Sequence, residues 1–161
     1  MDVINYKGLT YPHFQCEGHA AQFAIPYAKH ICKGKGYDIG CGRVEWALPG
    51  AIPIDINIDG SDAMNLPDKK VDYIFSSHCL EHLTDWVGAL IHWDSRLKIG
   101  GSLFLYLPDY SQEYWRPWHN RKHLHVLTPN IITDCLKDLG YKNIFASGVD
   151  LNNSFMIIAE K

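Results

Sequence analysis

Residues 36–42 read GYDIGCG and residues 51–57 read AIPIDIN, and this stretch decides the fold of the chain. The pattern predicts a short strand, a glycine turn, an abbreviated helix and a second strand that ends in the carboxylate of Asp55. Glycines at a strand tip allow a sharp turn and let a ligand approach the backbone without meeting a Cβ. A carboxylate at the next tip can accept hydrogen bonds from a ribose diol. The stretch therefore predicts a βαβ unit with a site for an adenosine-bearing cofactor.

The glycine spacing distinguishes two classes of such cofactors. Nicotinamide and flavin dinucleotides require Gly-x-Gly-x-x-Gly, whose last glycine lets the helix seat a pyrophosphate. Counting from Gly40, that last position is Glu45, and a carboxylate there would repel a pyrophosphate. The acid-x-Gly-x-Gly pattern of residues 38–42 instead resembles motif I of the class I S-adenosylmethionine-dependent methyltransferases. The cofactor of that family carries a cationic sulfonium in place of a pyrophosphate.

Three later segments extend the resemblance. Residues 62–67, DAMNLP, are similar to the family's Asp-Ala-x-x-Leu-Pro segment beside the adenine. Residues 71–82, VDYIFSSHCLEH, resemble its fourth strand and the Leu-Glu-His turn that follows. Residues 97–103, LKIGGSL, resemble the approach to its fifth strand. With these ordered motifs across residues 36–107, the chain is identified as a member of the family.

The resemblance implies an α/β fold with a doubly wound, mostly parallel sheet of about six or seven strands and a C-terminal antiparallel hairpin. One domain, residues 1–161, would hold an N-terminal cap segment and helix at residues 1–33 and a substrate loop at residues 110–126. The first crossover helix should be short, because a Pro-Gly pair ends it at residues 49–50. The connection over residues 55–62 is too short for the next helix and a full third strand. We therefore expect a sheet trimmed on one side.

Local signals place the other elements. Residues 1–18 show no regular pattern and are predicted to be irregular. Apolar residues at helical spacing predict a helix over residues 19–32 with Phe23, Tyr27 and Ile31 on one face. Thr84 is the predicted cap of a second helix, residues 85–98. Strands are predicted at residues 71–77, 102–107, 143–148 and 154–159. A further helix is predicted to start at Thr128, with Pro129 at its first helical position.

The resemblance also implies which residues bind the cofactor, S-adenosylmethionine. Asp55 would accept the ribose hydroxyls, Asp62 would lie beside the adenine, and Asp38 would fix the glycine turn. Since ligands bind outside the carboxyl ends of the strands in open parallel sheets, the site should gather the strand tips. The full predicted set is Asp38, Gly40, Cys41, Gly42, Asp55, Ile56, Asp62, Ala63, Ser76 and Ser77.

Methyl transfer needs a nucleophile held in line with the sulfonium methyl, and an alcohol or amine nucleophile benefits from a nearby base. Histidine suits that role near neutral pH, and His78 directly follows the fourth strand. An aromatic loop can stack on a planar or sugar acceptor. The predicted catalytic residues are His78, Asp109, His119 and His123, and the predicted substrate-binding residues are Tyr110, Trp115, Arg121 and His125.

Metal binding is the competing interpretation of the histidines. Residues 78–82 match the His-x-x-Glu-His pattern of one class of zinc proteases, but that pattern belongs on a helix with a further ligand downstream. His119, His123 and His125 could also form a metal site with Asp109 or His78. We assign no metal ligands from the sequence. Two alternatives stay open beside the methyltransferase: a non-catalytic binding module of the same fold and a metal-dependent hydrolase.

Composition limits the remaining function classes. The formal net charge of −3 and the absence of a basic run give no electrostatic footprint for nucleic acid. No segment has the apolar length of a membrane helix, and five scattered cysteines indicate reduced thiols and a cytoplasmic protein. No Asn/Asp-Pro-Pro-Tyr/Phe motif follows the fourth strand, which argues against methylation of DNA bases. We expect a small-molecule acceptor, a sugar or other metabolite, and a monomer or homodimer.

Overall fold

The computed structural model describes residues 2–13, 18–58 and 62–161. Parts of the predicted cap segment (residues 1 and 14–17) and of the predicted connection after Asp55 (residues 59–61) lie outside the described residues. Among the described residues, no helix has the length and apolar composition needed to cross a membrane.

A six-stranded sheet forms the centre of the chain, in the order β4-β3-β5-β6-β8-β7. Strands β3 to β6 run parallel, whereas β8 pairs antiparallel with both β6 and β7. This arrangement confirms the predicted doubly wound sheet with a reversed C-terminal edge. The strands are β3 Gly36–Ile39, β4 Ile52–Ile54, β5 Val71–Ser77, β6 Leu97–Pro108, β7 Lys142–Ala146 and β8 Ser154–Glu160.

The trimming predicted on the β4 side is present. A single 3-10 turn, Val44–Trp46, stands where the first crossover helix would lie. Between β4 and β5, the described residues form only an isolated bridge from Asp62 to Asn65. In the described part of the chain, three α-helices cover the sheet: α1 Ala21–Ile31, α2 Trp86–Arg96 and α3 Pro129–Asp138.

Each face of the sheet has its own apolar core. On one face, Ile39 and Ile74 pack in a cluster with Trp93 of α2 and Leu136 of α3, all fully buried. On the other face, the strands supply large rings, among them Phe75, Phe104 and Tyr106, to a cluster with α1. Because alternate residues of a strand point to opposite faces, buried strands with two covered faces read as almost continuous apolar runs.

The buried face of α1 differs from the prediction. The helix packs through its alanines, Ala24 and Ala28, which are fully buried, while Tyr27 is 58% exposed and Ile31 is 37% exposed. The aromatic rings of the sheet already fill the volume on this side, so the helix approaches closely only through small side chains. Tyr27 and Ile31, which the spacing placed on one face with Phe23, are therefore not on the face that packs on the sheet.

The predicted irregular structure of residues 1–18 is also wrong in part. Strands β1, Val3–Tyr6, and β2, Leu9–Pro12, form an antiparallel hairpin. Lys7 and Gly8, both at positive φ, form its two-residue turn, which is the geometry that matches the twist of paired strands. The signal was an x-Gly pair between two short runs rich in aromatic and β-branched residues.

Two boundaries near α2 differ from their predictions. The N-cap of α2 is Asp85, whose Oδ1 accepts a hydrogen bond of 2.8 Å from the Gly88 N–H. Thr84 is therefore not the cap. At the other end, β6 starts at Leu97 because this residue already pairs with Val71 of β5. The Thr128 cap of α3 and Pro129 at its first turn agree with the prediction.

Candidate functional site

The glycine turn after β3 has a backbone conformation that is unfavourable for residues with a Cβ. Gly40 and Gly42 have φ of +80° and +75°, values that L-residues with a Cβ adopt only at a cost. The Gly40 N–H donates to the Ile54 carbonyl over 2.7 Å, which ties the turn to the end of β4. A Cβ on Gly40 would lie 2.4 Å from the Cβ of Cys79, so the turn also packs directly on the segment after β5.

Asp38 lies beneath this turn, 1% exposed. Its Oδ2 accepts a hydrogen bond of 2.6 Å from the Leu48 N–H, ten residues along the chain. Burial raises the pKa of the Asp38 carboxyl to about 7, partly offset by that hydrogen bond, and the nearby Asp55 raises it further. The Asp38 side chain thus anchors the segment that leads from the glycine turn to β4.

Asp55 stands at the tip of β4, facing the same turn. Its Oδ2 accepts from the Gly42 N–H at 2.7 Å, and its Oδ1 accepts from the backbone and side-chain nitrogens of Asn57 at 2.9 and 2.8 Å. A carboxylate has about four acceptor positions. One position on Oδ2 is therefore left for a ligand, and a second becomes available if the Asn57 amide turns away.

A cleft of about 430 Å³ opens outside the tips of β3, β4 and β5, and we name it the first cleft. It brings together five of the ten predicted cofactor residues. The apolar side chain of Ile56 is 86% exposed at this cleft, and the Oδ1 of Asp62 accepts from the Met64 N–H at 2.8 Å. The first cleft is lined by Gly40, Asp55, Ile56, Asn57, Asp62, Ala63, His78, Cys79, His82, Leu83 and Lys122.

A second cleft, of about 520 Å³, borders the first. Aromatic rings, imidazoles, amides and two cationic side chains line it, so it can stack on a ring and hydrogen-bond polar groups. The two clefts share Asn57, His78, His82 and Lys122. The other lining residues of the second cleft are Gly18, Gly42, Arg43, Trp46, Tyr114, Trp115, Asn120 and His123.

His78 stands at the junction of the two clefts. It follows β5 directly and has a φ of +47°, held by a hydrogen bond of 2.8 Å from its N–H to the Tyr106 carbonyl. The ring Nε2 lies 2.9 Å from Ser154 Oγ, and the edge of the ring meets Trp115 at 4.8 Å between centroids. Burial lowers the His78 pKa well below its ordinary value, and the neighbouring His123 and His82 lower it further. The ring is therefore neutral at pH 7.

Glu81, next to this junction, is fully buried. Its carboxylate lies 3.6 Å from His82 Nε2 and 3.9 Å from His78 Nδ1. Burial raises the Glu81 pKa to about 8, and burial lowers the pKa of His123, across the cleft, to about 4. A group of one carboxyl and several neutral imidazoles thus sits where the clefts meet.

The loop of residues 110–126 is held against the segment after β5 by hydrogen bonds. The Leu124 N–H donates to the Glu81 carbonyl at 2.8 Å, and the ring of His82 donates through Nδ1 to the Lys122 carbonyl at 2.7 Å. His125 donates through Nε2 to the Leu83 carbonyl at 2.9 Å. These bonds place His123 and Trp115 at the second cleft.

The remaining predicted catalytic and substrate residues lie elsewhere. His119 bonds the Glu113 carbonyl and the Lys7 ammonium, and it packs on Tyr6 of the N-terminal hairpin. Asp109 accepts from the Ser111 N–H within a turn. Asp109, Tyr110 and His125 border only a recess of about 10 Å³, too small for a substrate, and Arg121 is exposed at the surface.

Besides Asp38, three predicted cofactor residues line neither cleft. Ser76 is buried and its hydroxyl donates to the Ile39 carbonyl at 2.8 Å, which ties β5 to β3. Ser77 is buried behind the strand tip, and Cys41 places its Sγ 4.0 Å from the Ile54 carbonyl. Their side chains support the strand tips.

Several residues at the clefts were missed by the sequence reasoning. Trp46 is sandwiched, with the His19 ring stacked at 4.7 Å and the Arg43 guanidinium over it at 4.7 Å. Asn57 and Lys122 line both clefts. A polar residue two positions after a strand-tip acid was a usable signal for Asn57, whereas the position of Lys122 depends on how the long loop folds back.

Comparison with known proteins now identifies the class of this chain. A family model described as a methyltransferase domain matches residues 17–145. The chain therefore belongs to this methyltransferase family, and it is an S-adenosylmethionine-dependent enzyme. This result favours the enzyme over the non-catalytic module and the hydrolase.

Solved structures show the same fold. A SAM-dependent methyltransferase from Archaeoglobus fulgidus is 22% identical, with 91% of this chain and 94% of that one covered and a TM-score of 0.67. A SAM-dependent methyltransferase from Thermotoga maritima is 17% identical, with 91% of each chain covered and a TM-score of 0.69. Phosphoethanolamine N-methyltransferase 2 from Haemonchus contortus, solved with S-adenosyl-L-methionine, is 14% identical, covers 86% of this chain and 51% of that one, and has a TM-score of 0.63. No curated protein sequence matches the chain.

Proposed function

We propose that this methyltransferase binds S-adenosylmethionine in the first cleft and methylates an oxygen or nitrogen atom of a small molecule held in the second cleft. The observation that carries this proposal is the junction of the two clefts at His78, His82 and Asn57. When bound, the cofactor supplies an electrophilic methyl group on a sulfonium. The shared wall is where such a methyl and an acceptor atom would meet.

The residues of the first cleft fit that cofactor. Asp55 has an acceptor position free on Oδ2 for a ribose hydroxyl, and the Asn57 amide can release a second one. The exposed side chain of Ile56 offers an apolar surface that a flat ring such as adenine would cover. Asp62 lies at the same cleft, next to Ala63.

His78 is the residue we propose to receive the proton of the acceptor. Ser154 donates its hydroxyl to the Asn152 carbonyl at 3.1 Å, so its Oγ accepts the hydrogen bond from His78 Nε2. Nδ1 of the neutral ring then carries a lone pair at the junction. A base within hydrogen-bond reach of an attacking oxygen or nitrogen can take its proton in the transition state.

The second cleft suggests the chemical class of the acceptor. Rings of Trp46, Tyr114 and Trp115 line it together with the Arg43 and Lys122 cations. Aromatic rings stack on planar groups and on the apolar faces of sugars, and the cations favour an acceptor with a negative charge. We propose a sugar or similar metabolite with an acidic substituent.

Calorimetric titration with S-adenosylhomocysteine tests the cofactor half of the proposal. Asp55→Ala should weaken binding by about tenfold or more, which is about 1.4 kcal/mol. Asp55→Asn keeps an acceptor for Gly42 and should lose less. Asp134→Ala, which removes an exposed carboxylate paired with Lys137, serves as the matched control and should bind like the wild type. Equal affinity in Asp55→Ala and the wild type would refute the assignment.

The acceptor half needs a transfer assay. Cofactor labelled in its methyl group is incubated with pools of sugars and acidic metabolites, and the transfer of label is measured. His78→Gln should bind S-adenosylhomocysteine as the wild type does and transfer the methyl about a hundredfold more slowly, the usual range for a lost general base. An unchanged rate in His78→Gln would exclude this histidine as the base.

A further inference from the structure

Three side chains from two separate segments converge where the clefts meet. Glu81 and His82 belong to the 3-10 turn Leu80–His82 after β5, and His123 belongs to the loop of residues 110–126. One carboxylate oxygen and one nitrogen from each imidazole all lie within 4.8 Å of one another. The group borders both clefts through His82 and the second cleft through His123.

The surroundings of Glu81 are unusual for a carboxylate. The side chain is fully buried, and within the part of the chain that the structure describes neither of its oxygens has a hydrogen-bond partner. The imidazole nitrogens His82 Nε2, at 3.6 Å, and His78 Nδ1, at 3.9 Å, are beyond hydrogen-bond distance. A buried carboxylate is ordinarily paired with a cation or coordinates a metal.

The hydrogen bonds of the imidazoles determine which nitrogens face Glu81. His82 Nδ1 lies 2.7 Å from the Lys122 carbonyl, and a carbonyl can only accept, so Nδ1 carries the hydrogen. In the neutral ring, Nε2 therefore has no hydrogen and carries a lone pair. This nitrogen lies 3.6 Å from the Glu81 carboxyl group and is free to bind a ligand.

His123 lies beside His82. It is 5% exposed, and the two rings meet edge to face with 4.7 Å between centroids. One of its ring nitrogens lies within 4.8 Å of a Glu81 carboxyl oxygen and of a His82 nitrogen. The bond from His82 Nδ1 to the Lys122 carbonyl is the kind of outer support that metal-binding histidines almost always have.

We propose that Glu81, His82 and His123 form a binding site for one divalent transition-metal ion of the zinc type. Two ligands bound at about 2.0–2.1 Å in tetrahedral geometry lie about 3.3 Å apart, close to the 3.6 Å between the Glu81 carboxylate and His82 Nε2. A carboxylate with two imidazoles is one of the ligand sets of catalytic zinc, and it leaves a coordination position open. A cation here would also stabilise the ionised form of the buried Glu81, which burial alone disfavours.

The sequence pattern around this group would have suggested a different ligand set. In the His-x-x-Glu-His pattern of residues 78–82, His78 is the first histidine, but among the described residues the ligand atoms that all lie within 4.8 Å of one another belong to Glu81, His82 and His123. His123 is 41 positions beyond His82 in the chain. The site thus depends on the loop closing over the turn after β5.

His82 and His123 both line the second cleft, so an ion bound by them would border the place proposed for the acceptor. If the proposed function holds, the acceptor class narrows to molecules whose oxygen or nitrogen atoms can also bind a divalent cation, such as hydroxy acids and vicinal diols. This step rests on the proposed function, whereas the metal site itself does not.

Metal binding is measured on the whole chain after dialysis against a chelator. Calorimetric titration with zinc chloride should give one ion per chain, and cobalt chloride should give the visible absorption of a tetrahedral site. Glu81→Gln, His82→Gln and His123→Gln should each weaken zinc binding by at least about tenfold. His30→Gln removes an exposed imidazole away from both clefts and should bind zinc as the wild type does.

Two readouts keep the outcomes distinct. A cooperative melting transition shows whether each variant is folded, and binding of S-adenosylhomocysteine tests the cofactor site separately. Zinc should raise the melting temperature of the wild type and of His30→Gln but not that of His82→Gln or His123→Gln. No stoichiometric zinc in the wild type would overturn the metal site, as would equal affinity in His82→Gln, His123→Gln and the wild type. Either result would leave the proposed function standing.

Discussion

Two glycine substitutions separate backbone strain from packing at the cofactor turn. Gly40 and Gly50 have similar positive φ values, +80° and +88°. A Cβ on Gly50 would meet no atom within 4 Å, whereas a Cβ on Gly40 would lie 2.4 Å from Cys79 Cβ and 2.5 Å from its Sγ. Gly50→Ala therefore measures the conformational cost alone, and Gly40→Ala measures that cost together with the clash.

The expected magnitudes follow from these contacts. A left-handed conformation costs an alanine about 1–2 kcal/mol, and the lower entropy of the unfolded chain returns about 0.4–1 kcal/mol. We therefore expect Gly50→Ala to lower the free energy of unfolding by about 1 kcal/mol. Overpacking against the buried Cys79 adds about 1–3 kcal/mol. Gly40→Ala should then lose about 2–4 kcal/mol in total.

Urea unfolding, followed by circular dichroism, measures both variants. With an m-value of about 2 kcal/mol/M, Gly40→Ala should lower the midpoint by about 1–2 M and Gly50→Ala by about 0.5 M. Equal shifts in the two variants would show that the contact between Gly40 and Cys79 does not constrain the turn. An unchanged m-value is required for either conclusion, because only then does the midpoint report stability.

Two further predictions concern stability. Burial raises the Asp38 pKa to about 7. Between about pH 4 and 7, the native state therefore holds a proton that the unfolded state has released. The free energy of unfolding should fall as the pH rises through this window. Asp38→Asn should remove up to about 4 kcal/mol of that pH dependence. The free energy of unfolding is measured by urea denaturation at several pH values. The prediction is wrong if it changes with pH in the same way in the mutant and the wild type. Asp85→Ala should lower the free energy of unfolding by about 1 kcal/mol, because the cap of α2 is lost. Thr84→Ala should lower it by less than about 0.5 kcal/mol. A lower melting temperature for Thr84→Ala than for Asp85→Ala would show that Thr84 is the cap after all.

The sequence was sufficient for the parts of the fold that depend on local pattern. The glycine turn, the acid at the tip of β4 and the Pro-Gly pair at residues 49–50 act within a few positions of one another. Their combination therefore predicted both the parallel βαβ unit and its trimming. The antiparallel C-terminal edge also came from short-range turn signals and the family resemblance.

The site could be predicted only where strand tips supply it. Gly40, Asp55 and His78 follow directly from their strands, so the topology alone brings them together. The position of His123 depends instead on how the loop of residues 110–126 crosses the turn after β5. Asp109 and His119 carry suitable chemistry, but a local turn and the N-terminal hairpin draw them away from the clefts.

The trimmed side of the sheet has a consequence for association. β4 is only three residues long, and its central residue, Pro53, has no N–H to donate. At the opposite edge, the pairing of β7 is irregular between Lys142 and Phe145, with Asn143 at a φ of +50°. Irregular or proline-bearing borders are poor templates for another strand. Neither edge strand is suited to pair with a strand of a second chain. A dimer of this enzyme would therefore have to form through its helices or loops.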